Sequence, residues 1–220
     1  DTVNCTGIYK EISPALRCWI YPGQHGPLDV VHGIQNSCNV FFSEMGHRLS
    51  MDENGNYSPE LGIEKIRKYA SLFGLDETSG IEIAEREPQM TTEKPEASSI
   101  GQGKNSYSNV QLSRYITAVA NKGTVFKLSL LDKMTDSQGN LLEDFTPEVR
   151  SVIDVKDSTW NAVHTGMRRV ISDGSARKIS AILRWISPAR QVPPRRSKTD
   201  TASTMRSSFP LHHTRIPKSR

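Results

Sequence analysis

The chain has 220 residues, 35% hydrophobic and 7% aromatic. That is long enough for one domain with a real core and far from the bias of a disordered or fibrous chain. No apolar run approaches the ~18 residues that cross a membrane. The net charge of +4 is uneven: residues 181–220 hold nine Arg and Lys against Asp200 alone, a balance of +8, so residues 1–180 carry −4.

The chain opens Asp1-Thr2-Val3-Asn4-Cys5, with neither an initiator Met nor a signal-peptide pattern. It is therefore read as an internal piece of a longer protein. Residues 1–30 read as loop-rich, with Pro14, Pro22, Gly23, Gly26 and Pro27 breaking any long element. Val40, Phe41, Met45 and Leu49 then fall at helical spacing, with Glu44 and Arg48 opposite. Asn39 is the expected N-cap of that helix, Ser37 sits just outside it, and the helix ends near Ser50. Ser58-Pro59-Glu60 predicts the next helix, with Leu61, Ile63, Ile66, Tyr69, Ala70 and Phe73 on its buried face and Gly74 at its end. Ile81-Glu82-Ile83 predicts a short strand, and residues 84–98 an exposed polar loop in which Glu85 and Glu87 face solvent.

Ser108 with Gln111 three residues on is a capping box, opening a helix that Asn121-Lys122-Gly123 closes. Thr124–Leu131 reads as a strand and Asp136–Asn140 as a turn, which predicts a hairpin. A last helix is expected from about Ser158 to Ile171, with Trp160, Val163, Met167 and Val170 inward. Beyond Lys178 there is no Gly, there are five Pro, and no periodicity persists. Residues 1–179 are read as a folded unit and 180–220 as a basic, disordered tail.

Three stretches together resemble one family. Ser37-Cys38-Asn39 matches the Ser-x-Asn element of penicillin-binding transpeptidases. Residues 72–85, L-F-G-L-D-E-T-S-G-I-E-I-A-E, resemble the segment that follows it in class B members. Residues 100–124, beginning I-G-Q-G, resemble that family's loop and succeeding helix. The pattern C-W-x5-H-G from Cys18 to Gly26 is similar to the elongation type, penicillin-binding protein 2. The resemblance implies an α/β (α+β) fold, a partial serine β-lactamase/transpeptidase-like domain comprising most of the helical lobe and a hairpin of the antiparallel sheet.

It also implies serine acyl transfer on peptidoglycan stem peptides, inhibition by β-lactams, a cell-wall elongation glycosyltransferase as partner, and a place at the outer face of the bacterial cytoplasmic membrane. Ser37 would relay a proton, and Asn39 would orient the substrate and a lysine. The nucleophile's S-x-x-K is expected upstream of Asp1. Ser175-Ala176-Arg177-Lys178 fits that pattern but follows the last helix, so it is read as an ordinary turn. No K-T-G occurs where one is due; Lys198-Thr199-Asp200 comes nearest. Permitted codons for residues 189–195, A-R-Q-V-P-P-R, shifted by one nucleotide, read G-K-T-G-T-A-Q. A frameshift near Ile179–Ser180 is therefore expected, which leaves the basic tail without a nucleic-acid role and this chain inactive alone.

Cys5, Cys18, His25 and Cys38 are spaced C-x12-C-x6-H-x12-C. By spacing, a Cys5–Cys18 disulfide, unrelated buried thiols and a metal site are all open. The resemblance implies structural zinc held by these four residues. Other open readings of the whole chain are a β-lactamase or β-lactam sensor domain of the same fold, and a non-catalytic, basic-tailed binding module.

Overall fold

The computed structural model describes residues 1–178. The expectations for residues 180–220, including the frameshift and the K-T-G remnant, lie outside the described residues. The first 28 residues are not plain loop. They form two short antiparallel ladders, β1 (Val3–Cys5) with β4 (Gly26–Leu28) and β2 (Ile8–Tyr9) with β3 (Leu16–Arg17). Strands of two or three residues carry no visible periodicity, so sequence patterning passes over them.

Helix α1 (Val30–Gln35) follows at once, capped by Asp29, whose carboxylate accepts from the His32 N–H. Helix α2 (Asn39–Leu49) is capped not by Asn39 but by Cys38, whose sulfur accepts from the Phe41 N–H at 3.5 Å. Phe41 is 2% exposed and packs on Gly33, where a Cβ would lie 2.7 Å from the Phe41 ring. Val3, Cys5, Tyr9, Cys18, Leu28, Cys38, Val40 and Phe41 make one buried cluster around the start of α2. Burying a ring such as Phe41 contributes about 1.5–3 kcal/mol.

Helix α3 (Pro59–Leu72) starts at the Ser58 cap as expected, but only Gly62 and Ile63 are buried and Tyr69 is exposed. The expected strand at residues 81–83 does not form, and Ile83 is 60% exposed. Nor is the 84–98 stretch an exposed loop throughout. Thr91 and Glu96 are buried, and α4 (Pro95–Ser98) packs against α2. Its polar groups are satisfied internally: Glu96 Oε1 accepts from Tyr57 at 3.0 Å and lies 3.3 Å from His47 Nδ1, while Thr91 and Ser98 hydroxyls meet at 2.7 Å. Such satisfied groups bury at little cost. Glu85 does not face solvent. It is half-buried and accepts from the Ser79 N–H and hydroxyl and from the Ser108 hydroxyl.

Helix α5 (Asn109–Ala120) opens with the full Ser108–Gln111 capping box. Its buried side chains are Gln111, Arg114, Ala118 and Val119, while Leu112 and Ile116 are exposed. Arg114 donates to carbonyls of the 74–79 loop, which explains a buried cation on this face. β5 (Thr124–Phe126) pairs with β8 (Val149–Val152), and β6 (Lys133–Thr135) with β7 (Leu141–Asp144) across the expected turn. The expected strand 124–131 thus stops at Phe126. Helix α6 (Asp157–Ser172) buries Trp160 and Gly166, whereas Met167 is 40% exposed. Trp160 joins Ala118, Val125 and Ile153 in a second buried cluster. The result is a mixed α/β arrangement of helices and small antiparallel ladders, as the resemblance implies.

Candidate functional site

Ser37 occupies the corner between α1 and α2. The Ser37 N–H donates to Ile34 O and the Cys38 N–H to Gly33 O, both at 3.0 Å, which is the hydrogen-bond pattern of a Schellman C-terminus. That pattern needs a left-handed residue just past the cap, and Ser37 has φ +48°. Glycine is the usual residue there, because a Cβ in this conformation costs about 1–2 kcal/mol. Ser37 is exposed at this corner. Cys38 then turns inward, and Asn39, half-buried, begins α2 with its side-chain amide donating to Arg17 O at 3.0 Å.

Two residues flank this corner that sequence reasoning did not single out. Arg17 supplies the carbonyl that holds Asn39, and its guanidinium lies 4.8 Å from the centroid of the Tyr21 ring. The Trp19 indole donates to Asn36 O at 2.8 Å, immediately before Ser37. The available signal was the buried Cys18 between them, which leaves Arg17 and Trp19 exposed on either side.

Beneath the corner lie the sulfurs. Cys5, Cys18 and Cys38 are free thiols, each 2% exposed or less. His25 Nδ1 lies 3.5 Å from Cys5 Sγ and 3.7 Å from Cys18 Sγ, and Cys18 Sγ lies 3.9 Å from Cys38 Sγ. All four ligand atoms fall within 4.8 Å of one another. A tetrahedral centre with ~2.3 Å bonds to sulfur sets neighbouring ligand atoms about 3.8 Å apart, so these spacings fit such a centre. Among the described residues the buried Nε2 of His25 has no partner, so the polar contacts of the ring are made at Nδ1, on the cluster side. Burial pushes the His25 imidazole toward its neutral form, the form that ligates.

The thiols divide. Burial acts to raise Cys18, but N–H groups of Ile20, Asn39 and Val40 aimed at its sulfur outweigh that and lower it. Burial raises Cys38, and the neighbouring Cys5 and Cys18 sulfurs add to the effect. The arrangement can hold one soft or borderline cation, and a cation held there would tie the first ladder and the 18–25 turn to the start of α2. The structure thus brings Cys5, Cys18, His25 and Cys38 together. It sets Ser37 and Asn39 directly beside them, since Cys38 lies between the two.

Ser175–Lys178 lies at the end of α6, where the Ser175 N–H donates to Gln35 O at 3.3 Å. A cavity of about 680 Å³ lined by Tyr57, Glu60, Arg67 and Glu96, and one of about 820 Å³ between residues 80–82, 126–132 and 144–148, both lie away from Ser37.

The family model described as penicillin binding protein transpeptidase domain matches residues 1–208, a span that runs past residue 179. Penicillin-binding protein 2A of Bacillus subtilis is 28% identical over 171 residues, covering 69% of this chain and 23% of that protein. Peptidoglycan D,D-transpeptidase MrdA of Escherichia coli K12 is 25% identical over 174 residues, covering 71% of this chain and 25% of that one. The chain therefore spans about a quarter of the length of the curated relatives it matches. Among solved structures, a chain of a peptidoglycan synthase complex coordinating polymerization and crosslinking superposes with a TM-score of 0.68 at 22% identity, covering 81% of this chain and 30% of that one. With the family model spanning most of its length, the chain belongs to the transpeptidase domain family of penicillin-binding proteins, among class B members of the penicillin-binding protein 2 type.

Proposed function

We propose that this stretch forms part of the acyl-transfer site of a peptidoglycan D,D-transpeptidase of the elongation type, in which Ser37 relays a proton and Asn39 orients the substrate amide and a lysine. The observation that carries the reading is Ser37 itself. A serine is kept exposed and left-handed at a corner where glycine would be less strained. Strain of this kind is tolerated where a side chain has work to do. The hydroxyl can accept and donate in one step, and the Asn39 amide offers an oxygen to an ammonium and an NH₂ to a carbonyl. Substrates would be stem peptides, and β-lactams would acylate the same centre. Zinc, held by Cys5, Cys18 and Cys38 Sγ and His25 Nδ1, would serve structurally, fixing the start of α2. The location would be the outer face of the bacterial cytoplasmic membrane. A polymerizing glycosyltransferase is the expected partner, in keeping with the synthase complex that this fold resembles.

The test is acylation by a fluorescent penicillin in a full-length protein where this stretch follows an S-x-x-K nucleophile. Asn39→Ala loses the hydrogen bond to Arg17 O, so it should leave folding within about 1.5 kcal/mol and slow acylation on the order of 10²-fold. Unchanged acylation would sink the catalytic assignment. Residues 1–220 alone, lacking an upstream S-x-x-K, should take no label, and stoichiometric labelling would show that the nucleophile lies within them.

A further inference from the structure

Helix α1 has six residues, fewer than the ~12 that a helix needs to persist by itself. Its position, and with it the position of Ser37 two residues past its end, must come from what packs on it. Besides the Ser175 N–H on Gln35 O and the Trp19 indole on Asn36 O, three contacts along the helix contribute. Phe41 lies on Gly33, and Gly166 of α6 lies so close to Ile34 that a Cβ there would come within 2.8 Å of the Ile34 Cβ. The third is polar. His32 Nδ1 lies 2.7 Å from Asp29 Oδ1, and His32 Nε2 lies 2.9 Å from Arg169 Nη1 on α6.

The chemistry of that chain has one solution. A guanidinium only donates and stays protonated, so Nε2 of His32 must present a lone pair. The ring proton then sits on Nδ1 and is given to Asp29. The same Asp29 oxygen also caps α1 by accepting the His32 N–H at 2.9 Å. A doubly protonated ring would turn a second N–H and a second positive charge toward Arg169. The three-residue chain therefore closes only around a neutral, Nδ1–H imidazole, with Asp29 on one side and Arg169 on the other.

We propose that His32 is a positioning residue for Ser37: as a neutral imidazole bridging Asp29 and Arg169, it sets α1 against α6 and so fixes the corner that presents the serine hydroxyl. This rests on the reading of Ser37 given above. In this arrangement Arg169 acts on the corner through His32.

The experiment has two arms in the full-length protein. Nitrogen-15 correlation spectra of the His32 ring should show a protonated Nδ1 and a bare Nε2, and Arg169→Leu should abolish that pattern. An Nε2–H ring, or no response to Arg169→Leu, overturns the proposal. In the second arm, His32→Gln keeps one donor for Asp29 and one acceptor for Arg169, whereas His32→Leu keeps neither. Penicillin acylation should fall about 10-fold in the Leu variant, less than the ~10²-fold expected of a 1 Å misplacement, and by less than about 2-fold in the Gln variant. Equal rates for the two variants overturn the proposal while Ser37 stands. If Ser37→Ala acylates normally, the reading of Ser37 fails and the positioning role fails with it, even where the ring shows the expected tautomer.

Discussion

The first fifty residues and the β6–β7 hairpin are both built on strands of four residues or fewer, yet opposite forces hold them. In the first region the ladders wrap a cluster in which Cys5, Cys38 and Phe41 are at most 2% exposed. In the hairpin every strand residue is exposed, including Leu141 at 58% and Leu142 at 64%. What orders the hairpin is local. Asp136 Oδ1 accepts from the Gln138 and Asn140 N–H groups at 2.8 Å, and Lys133 faces Asp144 across the ladder. A two-stranded ribbon by itself is marginal in water. The first region escapes that limit through burial and a set of convergent sulfurs, whereas the hairpin, among the described residues, rests on its turn and its exposed ladder. Short strands thus say little about stability until one knows what lies behind them.

The largest test of this contrast is Cys38→Ser. If the four residues hold zinc as proposed, then, since structural zinc in small sites contributes about 10–16 kcal/mol of apparent binding energy, loss of a ligand should cost on the order of 5 kcal/mol. Zinc content should fall from one ion per chain, and hydrogen exchange should quicken through α2 while the hairpin amides keep their rates. A wild-type protein that carries no zinc, or a variant whose α2 stays equally protected, would break the account of the first region.

A smaller pair of variants compares the two regions directly. Phe41→Ala removes a buried ring that rests on Gly33 and should destabilise by about 3–5 kcal/mol. Leu142→Ala removes a larger aliphatic group than many core changes do, but from an exposed position, and should stay within about 0.5 kcal/mol. Denaturant midpoints at constant slope read both. A Leu142→Ala cost matching that of Phe41→Ala would mean that the hairpin is as deeply packed as the first region.

How much of this was legible beforehand follows the same division between local and long-range causes. The Ser58 cap, the Ser108–Gln111 box and the Asp136 turn were readable because each is complete within five residues and carries its own hydrogen bonds. Burial of Thr91 and Glu96, in the stretch read as an exposed loop, was not, because each also has a partner outside it: Glu96 meets Tyr57, and the Thr91 N–H meets Asn105. Polarity was there mistaken for exposure. The four metal-type side chains could be named from the sequence, but their convergence rests on the β1–β4 register that sets Cys5 opposite Gly26. Asn39 was assigned the cap that Cys38 holds, because Asn is the commoner N-cap and nothing in the spacing reveals that the preceding residue turns inward. The left-handed state of Ser37 was hidden for a related reason. Helix α1 is too short to show a period, so its end, and the Schellman corner there, could not be seen.

The smallest effect separates stability from function at that corner. Ser37→Gly relieves a left-handed Cβ worth about 1–2 kcal/mol. Glycine's greater freedom in the unfolded chain takes back part of this, about 0.5–1 kcal/mol, so the net gain should be a few tenths to about 1 kcal/mol. Ser37→Ala keeps the strain and deletes only the hydroxyl, which makes no hydrogen bond among the described residues, so its stability should match the wild type. If Ser37 relays a proton, both variants should lose acylation on the order of 10²-fold, one of them while becoming more stable. That combination is the signature of a residue retained against the preference of the backbone. A Gly variant that is less stable than wild type would show instead that the serine side chain holds the corner together. The comparison with the cluster beneath would then extend to Ser37 itself, as one more part of a region stabilised by its side chains.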